Sequence, residues 1–496
     1  MATYERESIK AGKVSSVPDD SMSLAPFVSL CDLFSMLDLE LGDSSLRTEI
    51  QRCLEMLTVD FDDYLPMEIK KADRWLEWAG NQKYLKLMRT SIPDFILPKN
   101  FSGELIDVKV FCKHGPDDKI YDSYKMVRDK VARGNCFLHL TRGPYTGSLC
   151  VLHALKKFTG GLGDDDDKDK GDNITWRNYF LKPIEMTETI IATKKANGEA
   201  AHLSCVLIDE HYYICGGSKN VHMLIRNRED IAAYRGDRYR IASEVCHTIM
   251  DCLEGMKPVQ KQRLLHFLCV TRLTAVFEIL SPLHQHVEDL SYLNKPILQF
   301  IAWTTTNLEP MPEHHLCAFP PHVGIEIAKA LGLSAVEYEL LGPSHLLDKM
   351  KQIRQGYQFE GEVLYFLDNG NHVIGLLKKK TVWYIICRAL REKARSSGAA
   401  MIKQRRLFSV AKSVKQVEQR LNEIQSWLGL SDSEINQWKN IGIAFLKWTI
   451  KQMELQQLSV ADIVEKFPSI WKRHLDESGL TDQIKVECLT ESLGNS

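Results

Sequence analysis

The 496-residue chain predicts an α+β fold, an antiparallel-sheet core with an N-terminal helical extension and a C-terminal helical domain. Three observations carry this expectation. Apolar residues recur at three- and four-residue spacing up to about Lys99 and again after Trp383, the period of helices with one buried face. Between them, from about Asp107, the period shortens to that of strands and turn residues punctuate short apolar runs. The length suits two or three domains, which we place at residues 1–106, 107–385 and 386–496.

The first region contains "LAPFVSLCDLFSMLDLEL", "SLRTEIQRCLEML" and "PMEIKKADRWLEWAGNQKYLKLM", all read as helix. Strands follow at "IDVKVFC", "NCFLHLT", "ETIIAT", "AHLSCVLI", "YYICGG" and "VHMLI". The run "GGLGDDDDKDKGDN" interrupts them; four successive aspartates have nothing nearby to neutralise them in a core, so the run is a solvated insertion that repels phosphate. Helix returns at "ASEVCHTIMDCLEGMKPVQKQRLLHFLCVTR". Strands resume through "LTAVFEILS", "LQFIAWTTT", "GEVLYFLD" and "HVIGLLKKK" before the C-terminal helices. No internal repeat is evident.

With 44% hydrophobic and 26% charged residues, the composition is that of a globular protein. No apolar run reaches the roughly 18 residues needed to cross a bilayer. The start "MATYERESIKAGK" lacks a signal-peptide core, so an intracellular protein with no membrane contact is expected. Thirteen scattered cysteines without a CxxC spacing fit a reducing compartment better than a disulfide framework or a zinc site. The stretches "HQH" and "EHH" lack helical metal-ligand spacing. A net charge of −2 neither demands nor excludes nucleic acid.

Charges placed within or beside strands are the chemical signal. In "TKKANGEAAHLS", Lys195 precedes an Ala-Asn-Gly turn; by turn statistics this is a solvated lysine in a hairpin. Lys219 lies about one hairpin later in "GGSKNVHML". Glu278 sits inside the apolar strand "TAVFEILSP", where an unpaired carboxylate is costly and calls for a partner or a ligand. Glu360 precedes a glycine that permits close backbone approach. In "LLKKKTVWY", pleat alternation puts Lys378 and Lys380 on one face and Lys379 on the other, at what is usually a solvated strand end.

Taken together, these stretches resemble the covalent nucleotidyltransferase superfamily, most closely the ATP-dependent RNA ligases of the phage RNA ligase 1 type. The Lys-x-x-Gly motif is matched by Lys195-Ala-Asn-Gly198, and the Ser-Lys pair by Ser218-Lys219. Phe277-Glu278, Glu360-Gly361 and the Lys-x-Lys of Lys378 and Lys380, followed by Trp383 and Tyr384, complete the order over residues 133–384. Upstream, Arg133 in "ARGNCF" and Lys157 in "ALKKF" resemble the segment that supplies cations to the departing pyrophosphate. The acidic insertion and the N-terminal extension depart from the phage pattern, and the layout is also similar to an RNA ligase of an invertebrate chordate.

The resemblance implies an antiparallel-sheet nucleotidyltransferase domain that uses ATP and Mg²⁺, with Mn²⁺ as a substitute, to join RNA 3′-hydroxyl and 5′-phosphate ends. Lys195 would carry AMP, and Lys378, Lys380 and the metal would lower its pKa and stabilise phosphoryl charge. Glu360 would be the main metal contact, with Glu278 on the ribose or a second ion. Phe300 and Trp303 are candidates to stack on adenine, and are otherwise core. The basic stretch at residues 388–406 suits RNA phosphates, or else a solvated helix face. A capping guanylyltransferase, a DNA ligase and a non-catalytic RNA-binding protein are the competing readings. No GxxxxGK[ST] occurs, so a fused polynucleotide kinase is not indicated.

Overall fold

The computed structural model describes residues 44–55, 61–142, 146–160, 175–308, 316–403 and 406–480. The helix expected near residues 24–41, most of the acidic run, the "EHH" stretch and Arg405 lie outside them. The described chain is an α+β protein of antiparallel sheets with helices at its C-terminal end. Helices α1 (Ser44–Glu55) and α2 (Phe61–Gly80) come first.

The first sheet has the order β1-β2-β3-β4, with β1 Leu85–Ser91, β2 Ser102–Val110, β3 Asn135–Arg142 and β4 Gly147–His153. This corrects the helical reading up to residue 99. "LKLMRTS" pairs with β2 from Leu85↔Val110 to Ser91↔Glu104, so the sheet begins at residue 85 and residue 106 falls inside a strand. Leu85 and the rings of Trp75 and Phe137, 5.0 Å apart, anchor α2 to this sheet. A short helix, α3 (Asp118–Ser123), lies between β2 and β3.

The second sheet runs β10-β9-β6-β7-β8, comprising β6 Glu199–Ile208, β7 His211–Ser218, β8 His222–Ile225, β9 Leu273–Leu280 and β10 Ile297–Thr305. The third runs β11-β5-β12-β13, comprising β5 Thr189–Lys194, β11 Tyr338–Leu341, β12 Gly361–Leu367 and β13 Val373–Lys380. One face of the second sheet packs under α4 (Arg240–Gly255), α5 (Pro258–Thr271) and α6 (Pro321–Ala330). Its other face meets the first sheet, where Ser204 Oγ donates to the Val151 carbonyl and Thr274 Oγ1 accepts the His153 N–H at 3.0 Å. Period-two alternation separates the two faces: Ala201, Leu203 and Phe277 go to the helices, and His202 and Val276 to the first sheet.

Helix α7 (Val382–Lys403) follows β13 directly, Thr381 Oγ1 accepting the Tyr384 N–H at 3.0 Å, and so runs through the expected boundary at residue 385. With α8 (Val410–Leu428), α9 (Asp432–Glu454), α10 (Val460–Glu465) and α11 (Phe467–Ser478) it encloses a separate aromatic core around Trp438, Phe445, Phe467 and Trp471. A capping box at Ser431 and Glu434 starts α9. The bundle reaches back to the sheets through Val287 in its core and a 3.0 Å bond from the Gln285 N–H to the Glu465 carbonyl. Among the described residues no helix is long and apolar enough to cross a membrane.

Candidate active site

Lys195 does not sit in a hairpin. Residues 195–198 carry the chain from β5 in the third sheet to β6 in the second, so the lysine stands where the two sheets meet. Its N–H bonds to the Gly361 carbonyl at 2.9 Å. The preceding Lys194 is exposed and pairs in register with Glu362, on the opposite side of the strand. Two glycines permit this junction. A Cβ at Gly198 would fall 2.0 Å from the Ile279 carbonyl oxygen, and one at Gly361, where φ is +147°, 1.9 Å from that of Lys379.

Three carboxylates converge on this junction. Glu360, 4% exposed, receives Lys195 Nζ at 3.0 Å and Asn197 Nδ2 at 2.7 Å on the same oxygen. Glu278 Oε1 accepts the Gly198 N–H at 3.2 Å. Glu288 accepts the Glu360 N–H. Asn197 knits the pocket together: its Nδ2 also reaches the Tyr384 hydroxyl at 3.2 Å, and its Oδ1 accepts the N–H groups of Val287 and Glu288, each at 3.2 Å.

Burial opposes the Lys195 ammonium, but Glu360 and Glu278 outweigh it and hold the lysine pKa above its usual value. The same crowding acts on the acids. Burial, with Glu360 nearby, pushes Glu278 up to about 6 against the pull of Lys195. Burial pushes Glu288 up to about 7. Burial also works against the Glu360 carboxylate, but Lys195 and Lys380 keep its pKa below the ordinary value.

A second cluster is cationic. Lys378 and Lys380 share a face by their register with Val363 and Gly361, as alternation requires. Lys380 is buried, lies 5.8 Å from the Tyr384 ring centroid and feels Glu360. Lys379 is no solvated strand end, since it is fully buried. Beyond Lys378 come Lys157, which bonds to Asp118, and Lys219 and Arg133, which meet Asp117 at 2.6 and 3.8 Å. Burial, reinforced by Lys378 and Arg133, brings Lys157 down to about 8. Burial likewise lowers Lys219. For Asp117, burial favours the neutral acid, but Arg133 and Lys219 prevail and lower its pKa.

The fold thus brings together Lys195, Glu278 and Glu360 at one end of a line of charged side chains and Arg133, Lys157 and Lys219 at the other, with Lys378 and Lys380 between. It leaves out Phe300 and Trp303. Phe300 pairs with Phe277 and Trp303 with Ala275, which places both on the helix-covered face, away from Glu278. Their rings lie 4.8 Å apart in the core, and Trp303 Nε1 donates to the Gly324 carbonyl at 2.9 Å. They are core residues and do not stack on a base. On α7, Arg391 bonds to the Val464 carbonyl, while Arg395 pairs with Glu392 at 2.8 Å.

Four contributors were missed. Asn197 lies inside the quoted lysine motif, but its role exists only through partners 90 and more residues away. Glu288 follows "HQH" in a loop with no pattern of its own. Asp117 and Asp118 carried a visible Gly-Pro-Asp-Asp turn signal, which marks a turn and not a counter-ion.

Fold and site together define a class: an antiparallel α+β protein with a carboxylate-bound lysine at the junction of two sheets and a line of cations leading from it. The family described as Domain of unknown function (DUF7920) matches residues 107–391, and the chain belongs to that family. No curated protein matches it. Among solved structures it is similar to a mutant RNA ligase of Naegleria gruberi with AMP and manganese, at 14% identity and a TM-score of 0.29, over 61% of this chain and 98% of that one. Another mutant of that ligase, with ATP and manganese, is 13% identical at a TM-score of 0.27, with the same coverage.

Proposed function

We propose that this protein is an ATP-dependent RNA ligase of the phage RNA ligase 1 type that works through a covalent lysyl-AMP at Lys195. The single observation that supports this most is the lysine itself, held 3.0 Å from a buried glutamate in a carboxylate pocket from which Lys380 and Lys378 lead to a further set of cations. A solvated hairpin lysine would have none of these neighbours.

In the first step Lys195 Nζ bonds to the α-phosphorus of ATP while the bond to the bridging oxygen breaks and its electron pair leaves on pyrophosphate. The ammonium must first lose a proton. Glu288 and Glu278, with pKa values of about 7 and 6, are the neighbouring acids suited to hold one near neutral pH. Lys378 and Lys380 would balance charge on the transferred phosphoryl group, and Arg133, Lys157 and Lys219 would receive the pyrophosphate. AMP then passes to an RNA 5′-phosphate, and a 3′-hydroxyl displaces it to seal the strand.

The donor set, carboxylate oxygens around one pocket, fits a hard divalent cation, and Glu360 and Glu278 would hold Mg²⁺ or Mn²⁺. Such an ion neutralises phosphoryl oxygens when bound. We assign adenylyl transfer to residues 107–385 together with β1, and RNA contact to the C-terminal helices, within an intracellular protein. Incubation with α-labelled ATP or GTP tests the reading. Acid-stable label from ATP supports a ligase, label from GTP a capping enzyme, and no label with either, in the presence of Mg²⁺ or Mn²⁺, contradicts covalent nucleotidyl transfer.

A further inference from the structure

A second polar cluster lies in the interface between the first and second sheets, away from Lys195. Asp107 on β2 and Cys136 on β3 are register partners, and His222 opens β8 opposite them. One ligand atom from each lies within 4.8 Å of the others, and the three residues are 1%, 0% and 0% exposed. We propose that Asp107, Cys136 and His222 form a structural site for a zinc-type transition-metal ion, with Cys215 as the fourth donor. This inference does not depend on the ligase reading.

The surroundings match what such a site requires. His222 Nδ1, the atom facing Asp107, is 2.7 Å from Asp107 Oδ1. The histidine's other nitrogen, Nε2, lies 3.1 Å from His202 Nδ1, and His202 in turn bonds to the Ser218 carbonyl. Asp107 Oδ2 accepts the His222 backbone N–H at 3.2 Å. Each of these two ligands therefore has its non-coordinating atom bonded outward, the arrangement that orients metal-bound histidine and carboxylate. Cys215 is fully buried, and its position on β7 shares the His222 face through Gly217; it stands outside the group of atoms within 4.8 Å of one another and would complete the set by turning its thiol inward.

The donor chemistry selects the ion. Two thiols and an imidazole exclude Mg²⁺ and Ca²⁺, while one oxygen, one nitrogen and two sulfurs in a dry interface suit a tetrahedral ion that takes up the thiolates as their protons leave. The four residues come from four strands of two sheets, which is why no CxxC spacing announced them. The location also gives the ion a structural task. Gly134, next to Arg133, has φ +140° and leaves no room for a Cβ against the His202 ring, whose Cε1 would be 2.4 Å away, and Ser218 precedes Lys219. One site would thus tie together the backbone that presents Arg133 and Lys219.

The test uses the full chain. After purification without added chelator, elemental analysis should find zinc in an amount equimolar with protein. Replacement by Co²⁺ should give the near-ultraviolet thiolate-to-cobalt absorption together with the visible bands of a tetrahedral centre. Stripping the metal should lower the melting temperature by several degrees, and zinc alone should restore it. Cys215→Ser should weaken the thiolate band, and Cys136→Ser should abolish metal retention if it folds. The wild-type readouts stand without either variant. Protein that carries no metal as isolated, gives no thiolate band with Co²⁺ and melts at the same temperature with or without zinc would overturn the proposal and leave a buried Asp107–His222 hydrogen bond.

Discussion

The two ends of the line of charged side chains are opposite in charge and are balanced in opposite ways. At the Lys195 end, three carboxylates surround one lysine, and its ammonium is held by Glu360. At the far end Lys157, Lys219 and Arg133 gather, and two aspartates at the start of α3 hold them. The first end therefore stabilises a cation and the second an anion. In each case the groups that occupy the site come from the protein itself. A triphosphate laid along these side chains would meet a nucleophile that must give up a proton at one end and cations that must give up their aspartates at the other. Binding and activation are then both exchanges of partner within sites of preset charge.

Replacing Glu360 would break this contrast most severely. Glu360→Ala leaves Lys195 and Asn197 without their shared acceptor and should lower the rate of lysine adenylylation by at least about a hundredfold, or about 3 kcal/mol of barrier. Single-turnover labelling measures this; a near-normal rate would remove Glu360 from the reacting centre.

The next contrast lies within "KKK". Lys378→Ala should slow adenylylation by about ten- to a hundredfold with little change in melting temperature, if it contacts the phosphoryl group. Fully buried Lys379 should behave the other way: Lys379→Ala should lower the melting temperature and leave the rate per folded molecule close to normal. Equal rate losses at both positions would deny that the alternation sorts function from packing.

Asp117→Asn sharpens the account of the cationic end. Freed from that carboxylate, Lys219 and Arg133 should bind inorganic tripolyphosphate several-fold more tightly, read as stronger inhibition of adenylylation. Weaker inhibition would mean that the aspartate positions the cations and does not occupy them.

The remaining contrast concerns stability against pH. Glu288 holds its proton up to about pH 7 in the folded chain, against about 4.3 for an unfolded carboxyl, so the folded state binds the extra proton between those values. Its contribution to stability is therefore present below about pH 4.3 and is lost as pH rises to 7. Glu288→Gln should remove that decline, a gain of up to about 4 kcal/mol at pH 8 relative to pH 4, visible in denaturant unfolding at the two pH values. An identical pH profile in both proteins would place the Glu288 carboxyl in solvent.

What was legible in the sequence follows a physical rule. A charged residue inside an apolar strand stands out because burial makes it costly, and Glu278 was found that way, whereas Lys195, Glu360 and the Lys378–Lys380 pair stood out only through the order of motifs they share with a known superfamily. Aromatic residues do not stand out, since an apolar strand needs them anyway. Phe300 and Trp303 were misassigned, although pairing of their strand with Phe277 and Ala275 sends them to the helix side. Contributions made by long-range pairing left no local trace of their role, as with Asn197 and Glu288, while Asp117 and Asp118 showed only a turn. The strand "LKLMRTS" was read as helix because a short apolar run at the end of a helical pattern fits either period, and only pairing with β2 decides it.

The most direct test of the central claim is to map the nucleotide. The full chain, incubated with ATP and Mg²⁺ and then digested, should yield one AMP-bearing peptide with the adduct on Lys195. Lys194→Ala should retain that adduct and Lys195→Ala should abolish it, because adjacent residues leave the strand on opposite sides. AMP on Lys194, or label that survives in Lys195→Ala, would contradict the account.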